Sequence, residues 1–417
     1  MDMNRFMVLL LCVAVFFVVG NVDAYPMDGY AETGIRRLER VRLIQAGEIQ
    51  GPKLTVGAHK LLSYVKLNLE DRADSLQKLP AVDADLQKKL EGLFPDRHES
   101  YSISLMEITP GRPVRYAAYQ SERLFSPGSV GKLVIVAGLF SELKRLYPDD
   151  VEKRRDLLRN RMVTAGKWVV GGHHEVPIYN VEDRSFVSRA IHEGDVFSLY
   201  EWTDHMMSAS ANSAASTVWK EVMLMRAFGT AYPPSEEVEE AFWKTTAKSE
   251  LRAMGLSVVN DPLRTIGIAK GDWQLGSFFT SYGQRVVQGA GSFANPRGMI
   301  MFLMRLEQGL VVDAWSSLEI KRLMYMTAKR IRYASSYGIA RSAIYFKSGS
   351  LYKCKPEPDF KCKKYMGNVE NAMNSVAIVE RSNGQVYLVA LMSNVLRKNS
   401  AEDHQALATE IDRILGD

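Results

Sequence analysis

A chain of 417 residues is long enough for one large domain or two closely packed ones. Its composition, 46% hydrophobic and 24% charged, is that of a folded globular protein and excludes a disordered or low-complexity polypeptide. The net charge of +5 (pI ≈ 8.9) comes from scattered Lys and Arg rather than a basic block, so a nucleic-acid-binding arm is excluded as well.

The first element in chain order stands outside the fold. Arg5, the apolar run 6–19, the break at Gly20 and Asn21, and Val22-Asp23-Ala24 read together as an export signal over residues 1–24. A bilayer span needs about 20 apolar residues, so this shorter run favours cleavage after Ala24 over a retained anchor. The mature protein is then expected outside the cytoplasm, periplasmic or secreted. Cys12 leaves with the signal. Cys354 and Cys362 remain as an even pair in an oxidising compartment, and a disulfide between them is expected to contribute roughly 2–3 kcal/mol.

Residues 25–100 form a charged, helix-prone extension, with Ile35, Leu38, Val41 and Leu43 at roughly helical spacing. Residues 101–108 and 114–120 are β-rich runs joined by Pro110-Gly111-Arg112-Pro113, which predicts a hairpin. Residues 129–146 follow as a helix that starts apolar nearly all round, the mark of a buried one. The stretch 147–334 reads as helical. Strands return at 342–350, 374–380 and 386–392, the last two flanking the turn Ser382-Asn383-Gly384, and 401–415 is an amphipathic helix. Strands at both ends of 101–417 predict an α+β fold: an antiparallel sheet flanked by helices, its chain interrupted by an all-helical insertion subdomain.

Chemistry enters at Lys132, a charged amine inside the most apolar helix of the chain. Desolvation lowers a lysine's pKa and turns it into a base near neutral pH. Ser129 is one turn earlier on the same face, and the turn Phe125-Ser126-Pro127-Gly128 puts it at the helix N-terminus, where backbone N–H groups favour a developing negative charge. Alone this S-x-x-K is a weak signal, since Ser75–Lys78 and Ser350–Lys353 have the same spacing. Two further elements raise its weight: the triplet Ser210-Ala211-Asn212 running into small residues, and Lys347-Ser348-Gly349-Ser350 at a strand end, where the glycine is expected to let substrate approach the backbone.

In that order, S-x-x-K, S-x-N and K-[ST]-G resemble the serine β-lactamases and penicillin-binding D,D-peptidases, most closely the class A β-lactamase-like fold. The segment from Phe125 to Lys132 is similar to that family's nucleophile segment, and Ala294-Asn295-Pro296-Arg297-Gly298-Met299 to the start of its helix before the last strands. The resemblance implies an acyl-serine hydrolase with Ser129 as nucleophile and Lys132 as general base. Ser210 would relay a proton to the leaving nitrogen, Asn212 would orient Lys132 and the substrate, and Lys347 would hold the hydroxyl network. Ser348 and Ser350 would grip a substrate carboxylate, and the N–H groups of Ser129 and Ser350 would form an oxyanion hole worth about 3–4 kcal/mol per donor. The implied substrate is a β-lactam or a D-Ala-D-Ala-type peptide of peptidoglycan, with no cofactor.

The sequence departs from that family in three places. Ala211 replaces the usual polar middle residue of S-x-N. Residues 251–306 contain no glutamate to activate a deacylating water, only Asp261 and Asp272, while Glu236, Glu237, Glu239 and Glu240 read as a solvated helix start. A basic insertion, 353–364, carries the two cysteines and could rim the cleft or form a solvated hairpin tip. His173-His174-Glu175 lacks metal-site spacing, so no metal is expected. Three readings stay open: an efficient β-lactamase, a D,D-peptidase that turns over β-lactams slowly, and an inactive ligand-binding module of the same fold.

Overall fold

The computed structural model describes residues 28–328 and 330–416; the expected export signal and Cys12 lie outside them. Two helices open the described chain, α1 (Gly29–Thr33) and α2 (Arg36–Gln45), and α3 (Ala84–Glu91) follows several loose turns later. The hairpin β1 (Ser102–Glu107) and β2 (Arg115–Tyr119) leads to a 3-10 turn, Gly128–Gly131, and the central helix α4 (Lys132–Leu146). Next come α5 (Val151–Asn160), the strands β3 (Met162–Thr164), β4 (Glu175–Tyr179), β5 (Phe186–Ala190) and β6 (Val196–Ser198), and helices α6 (Leu199–Met207), α7 (Asn212–Phe228), α8 (Glu236–Thr245) and α9 (Lys248–Thr265). The strands β7 (Trp273–Gln274) and β8 (Phe293–Ala294) bracket α10 (Ser281–Val286), and α11 (Pro296–Glu307) and α12 (Ala314–Tyr325) complete the insertion. The chain ends with β9 (Ala343–Lys353), β10 (Glu370–Glu380), β11 (Val386–Asn394) and α13 (Ala401–Gly416).

The main sheet has the order β2-β1-β11-β10-β9 and is antiparallel throughout. The last strand thus pairs with the first, and the nearly 300 residues between them are held by one ladder. Period-two alternation sorts the side chains. Tyr387, Val389 and Leu391 face a layer that contains Leu86 and Leu90 of α3 and Leu407 and Ile411 of α13. Leu388, Ala390 and Met392 face the large core built around α4. Because β11 is covered on both faces, it reads in sequence as an unbroken apolar run. The β10–β11 turn is where Ser382-Asn383-Gly384 predicts it, with Gly384 at φ 86° and Arg381 N–H donating to the Gln385 carbonyl at 2.8 Å.

Two differences from the sequence reading concern boundaries. α3 belongs to the layer covering the sheet, so the packed body takes in residues before Tyr101. The insertion has a helical framework but also carries three two-stranded ribbons, β3–β6, β4–β5 and β7–β8. These runs of two to five residues pair with partners up to about 35 residues away and leave no local periodicity. The 25–100 segment packs on the body. Ile35, Leu38 and Leu43 are buried, and Arg37 donates to both carboxylate oxygens of Asp204 on α6, at 2.5 and 2.6 Å.

Candidate active site

The segment that carries Ser129 is tied at both sides to neighbouring strands. Phe125 exchanges backbone hydrogen bonds with Ala294 of β8, at 2.8 and 2.9 Å, and Asn374 of β10 donates its amide to the Ser126 carbonyl at 2.9 Å. Gly128, at φ 51°, turns the chain into the 3-10 turn that holds Ser129, and α4 begins at Lys132. Three-residue spacing across a 3-10 turn stacks side chains directly, which brings the Lys132 amine to 2.9 Å from Ser129 Oγ.

Lys132 is fully buried, and its pKa lies well below the usual lysine range, first through desolvation and then through the nearby charge of Lys347. That shift favours the neutral amine, whose partners are all oxygen atoms. Nζ lies 2.6 Å from the Ser210 carbonyl oxygen, 2.8 Å from Asn212 Oδ1, 2.9 Å from Ser129 Oγ and 3.3 Å from Ser210 Oγ. The two closest are pure acceptors. A neutral amine gives them its two N–H bonds and keeps a lone pair, and the Ser129 hydroxyl is placed to donate into it. In its neutral form the amine can accept a proton from that hydroxyl.

The second motif comes from the junction of α6 and α7. The Ser198–Glu201 capping box starts α6, the helix ends at Met207, and Ser210 adopts φ 60°, an unusual conformation for a residue with a β-carbon. That conformation aims both its carbonyl and its hydroxyl at Lys132. Lys347 on β9 reaches the same hydroxyl, with Nζ 2.9 Å from Ser210 Oγ and 3.1 Å from the Ser348 carbonyl. Burial and the neighbouring Arg332 lower the Lys347 pKa to about 7. The geometry therefore joins Ser129, Lys132, Ser210, Asn212 and Lys347 in one continuous network.

Gly349 has a different reason from the one expected. A β-carbon there would collide with the Pro127 carbonyl oxygen and stand 3.0 Å from Ser129 N. The glycine seats β9 against the nucleophile turn, rather than making room for substrate. The same contact sets the backbone of Ser350 against Gly128 and that of Gly349 against Ser129. Ser348 and Ser350 line the same cleft, whose volume is about 1070 Å³. Of the two other S-x-x-K matches, Ser350 and Lys353 lie on an extended strand and Lys353 pairs with Glu370 at 2.7 Å, while Ser75 only donates to the Arg72 carbonyl.

Two features of the cleft escaped the sequence reading. Arg332 is buried at the cleft wall and donates to the Gly349 carbonyl at 2.7 Å; in sequence it is one of several basic residues in a run that looks solvent-facing. Phe279 sits on the floor, its ring centroid 4.8 Å from the Lys132 amine. Of the two readings of the basic insertion, the rim and the solvated tip, the structure favours the first. Cys354 and Cys362 are joined, and Lys364 and Tyr365 line the cleft, so this basic insertion is a rim.

Neither candidate aspartate reaches the nucleophile. Asp272 accepts from Arg297 Nη2 at 2.7 Å and Asn295 Nδ2 at 2.9 Å, and Asp261 is exposed on α9. Glu239 and Glu240 are taken by Lys220 and Lys244. Glu370 is the cleft's one lining carboxylate among the described residues, and it serves Lys353. His174 lies on the cleft wall.

Solved structures with the same fold include PBP-A (14% identity, TM-score 0.51), covering 81% of this chain and 99% of that one. A PBP-A mutant captured as its acyl-enzyme complex with penicillin G has 12% identity and TM-score 0.50 over 81% and 99% of the two chains. A β-lactamase from Chitinophaga pinensis DSM 2588 has 14% identity and TM-score 0.50 over 80% and 98%. No curated protein matches the sequence. A family model described as the β-lactamase enzyme family matches residues 85–415, from α3 to the end of α13, and the chain belongs to that family.

Proposed function

We propose that this protein is an acyl-serine enzyme that opens β-lactams, or cleaves D-Ala-D-Ala-type peptides, through Ser129 and releases the acyl group slowly. The observation that carries this reading is the Lys132 amine itself, fully buried, held toward its neutral form by desolvation and 2.9 Å from Ser129 Oγ. Lys132 takes the Ser129 proton as Oγ attacks the carbonyl carbon. The developing oxyanion is stabilised by the N–H groups of Ser129 and Ser350. Ser210, hydrogen-bonded to both lysines, passes a proton to the leaving nitrogen as the C–N bond breaks, and it is reprotonated from the lysine side. Asn212 orients Lys132 and the acyl side chain. A substrate carboxylate meets Ser348, Ser350 and the buried, cationic Arg332.

Slow release follows from the floor of the cleft. A hydrolytic water needs a base near the acyl carbonyl, and that region offers Phe279 and no free carboxylate. This favours the D,D-peptidase-like reading, with β-lactams as slowly released acylating agents, over an efficient β-lactamase. The disulfide suits an exported protein acting where peptidoglycan lies. The test is incubation with a fluorescent penicillin. Label is expected on Ser129 and is expected to persist for many minutes. Ser129→Ala is expected to abolish it; label retained by that variant would refute the assignment.

A further inference from the structure

One wall of the cleft is built by residues 354–369, between β9 and β10, which the Cys354–Cys362 disulfide ties into a loop. The loop is anchored at its far foot: Gly367 N–H donates to Asn371 Oδ1 at 3.1 Å, and its carbonyl accepts from Arg397 N–H at 2.8 Å. Between the disulfide and that anchor stands Tyr365, at φ 62°. Eight non-glycine residues among those described have positive φ, and three of them, Ser210, Arg332 and Tyr365, line the cleft. A conformation of this kind persists only where surrounding contacts impose it, and here it concentrates at the reaction site.

The Tyr365 ring lies against Arg332, the guanidinium carbon 4.9 Å from the ring centroid, and Tyr352 of β9 packs edge-on against the same ring at 6.0 Å. Arg332 is 4% exposed, has no ion-pair partner among the described residues, and donates to the Gly349 carbonyl at 2.7 Å. A buried guanidinium without a carboxylate is unfavourable, and the aromatic face and the carbonyl are what hold it in place. Arg332 and the Ser348 and Ser350 hydroxyls line one cleft, where an incoming carboxylate would supply the missing anion.

We propose that Tyr365 is a specificity-determining positioning residue: through its ring, the disulfide-closed loop holds Arg332 where it selects substrates that carry a carboxylate beside the scissile amide. This rests on the acyl-serine reading above. The loop acts on the charged substrate alone. A substrate with the same acyl group and no free carboxylate gains nothing from Arg332 and is indifferent to Tyr365.

Benzylpenicillin and its methyl ester differ only in that carboxylate. Acylation rates for both, followed by intact-protein mass spectrometry, give a preference ratio. The wild type is expected to favour the free acid at least tenfold. Tyr365→Ala is expected to remove most of that preference by slowing the acid alone, and Tyr365→Phe, which keeps the ring, to retain it. Cys354→Ser/Cys362→Ser, which frees the loop, is expected to behave like Tyr365→Ala. Labelling by the ester at the wild-type rate shows in each case that the variant is folded. An unchanged ratio in the alanine or the double-serine variant would overturn the proposal, as would equal slowing of both compounds. Wild type labelled by both compounds without preference would overturn it alone. Wild type labelled by neither would overturn the acyl-serine reading and this proposal with it.

Discussion

Replacing Phe279 by glutamate probes the slow-release argument directly. The half-buried Phe279 side chain stands over the Lys132 amine, 4.8 Å from ring centroid to Nζ, and its backbone N–H is anchored to Ser216 Oγ at 3.2 Å. Phe279→Glu keeps that anchor and brings a carboxylate to the floor beneath Ser129. Two effects of opposite sign follow. A positioned general base typically accelerates proton transfer by about 10²–10⁴, so the lifetime of the penicillin adduct should fall at least about a hundredfold. The new charge also favours the ammonium form of Lys132. At that distance and an effective dielectric of about 20, the interaction is about 3 kcal/mol, enough to raise the ratio of ammonium to neutral amine by about two orders of magnitude. Acylation should therefore slow near pH 7 and recover as the pH is raised. A pulse of fluorescent penicillin followed by an unlabelled chase, at pH 7 and pH 9, separates the two rates, with Phe279→Gln as a control of equal size that lacks the base. If the Glu and Gln variants lose label equally fast, or both as slowly as wild type, the missing carboxylate is not what limits release.

Two further outcomes are expected. In Lys347→Met, desolvation of Lys132 persists but the neighbouring cation is gone, so the Lys132 pKa rises and the acid limb of the acylation profile moves to higher pH. A limb that stays put or moves to lower pH would contradict the electrostatic coupling, whatever happens to its height. Away from the site, Lys321 is buried between Glu307 at 2.6 Å and Glu380 at 2.8 Å, and Lys60 of the N-terminal extension also reaches Glu380, at 2.5 Å. Lys321→Met leaves two carboxylates sharing one buried site and should cost about 3–5 kcal/mol in urea unfolding; an unshifted midpoint would mean that this cluster carries no net stability.

The hairpin at Gly111, the all-apolar helix after Ser129, the turn at Gly384 and the closing amphipathic helix were legible because each is a pattern within a dozen residues. Ser129 and Lys132 were legible for the same reason, since one turn of chain brings them together. Ser210-Ala211-Asn212 and Lys347-Ser348-Gly349 could be found only as members of an ordered set, since neither says by itself which atoms it will face. The ribbon β3–β6 was missed because its partners are remote, β4–β5 because its strands are short and their exposed faces carry no apolar alternation, and the role of α3 because its apolar face is short.

By itself, the amino-acid sequence determined which groups are present and in what order: a nucleophile, two lysines, a relay hydroxyl, a cysteine pair, and no glutamate between 251 and 306. Only the tertiary structure decided what those groups can do. It buried Lys132 among two carbonyl-type acceptors, set the charge of Lys347 near it, stacked Tyr365 on Arg332 and placed Phe279 where a base would be needed. The physical reason is that protonation and charge depend on every dipole and ion within a few ångströms through space, and antiparallel pairing of β1 to β11 brings together atoms that the chain separates by hundreds of residues.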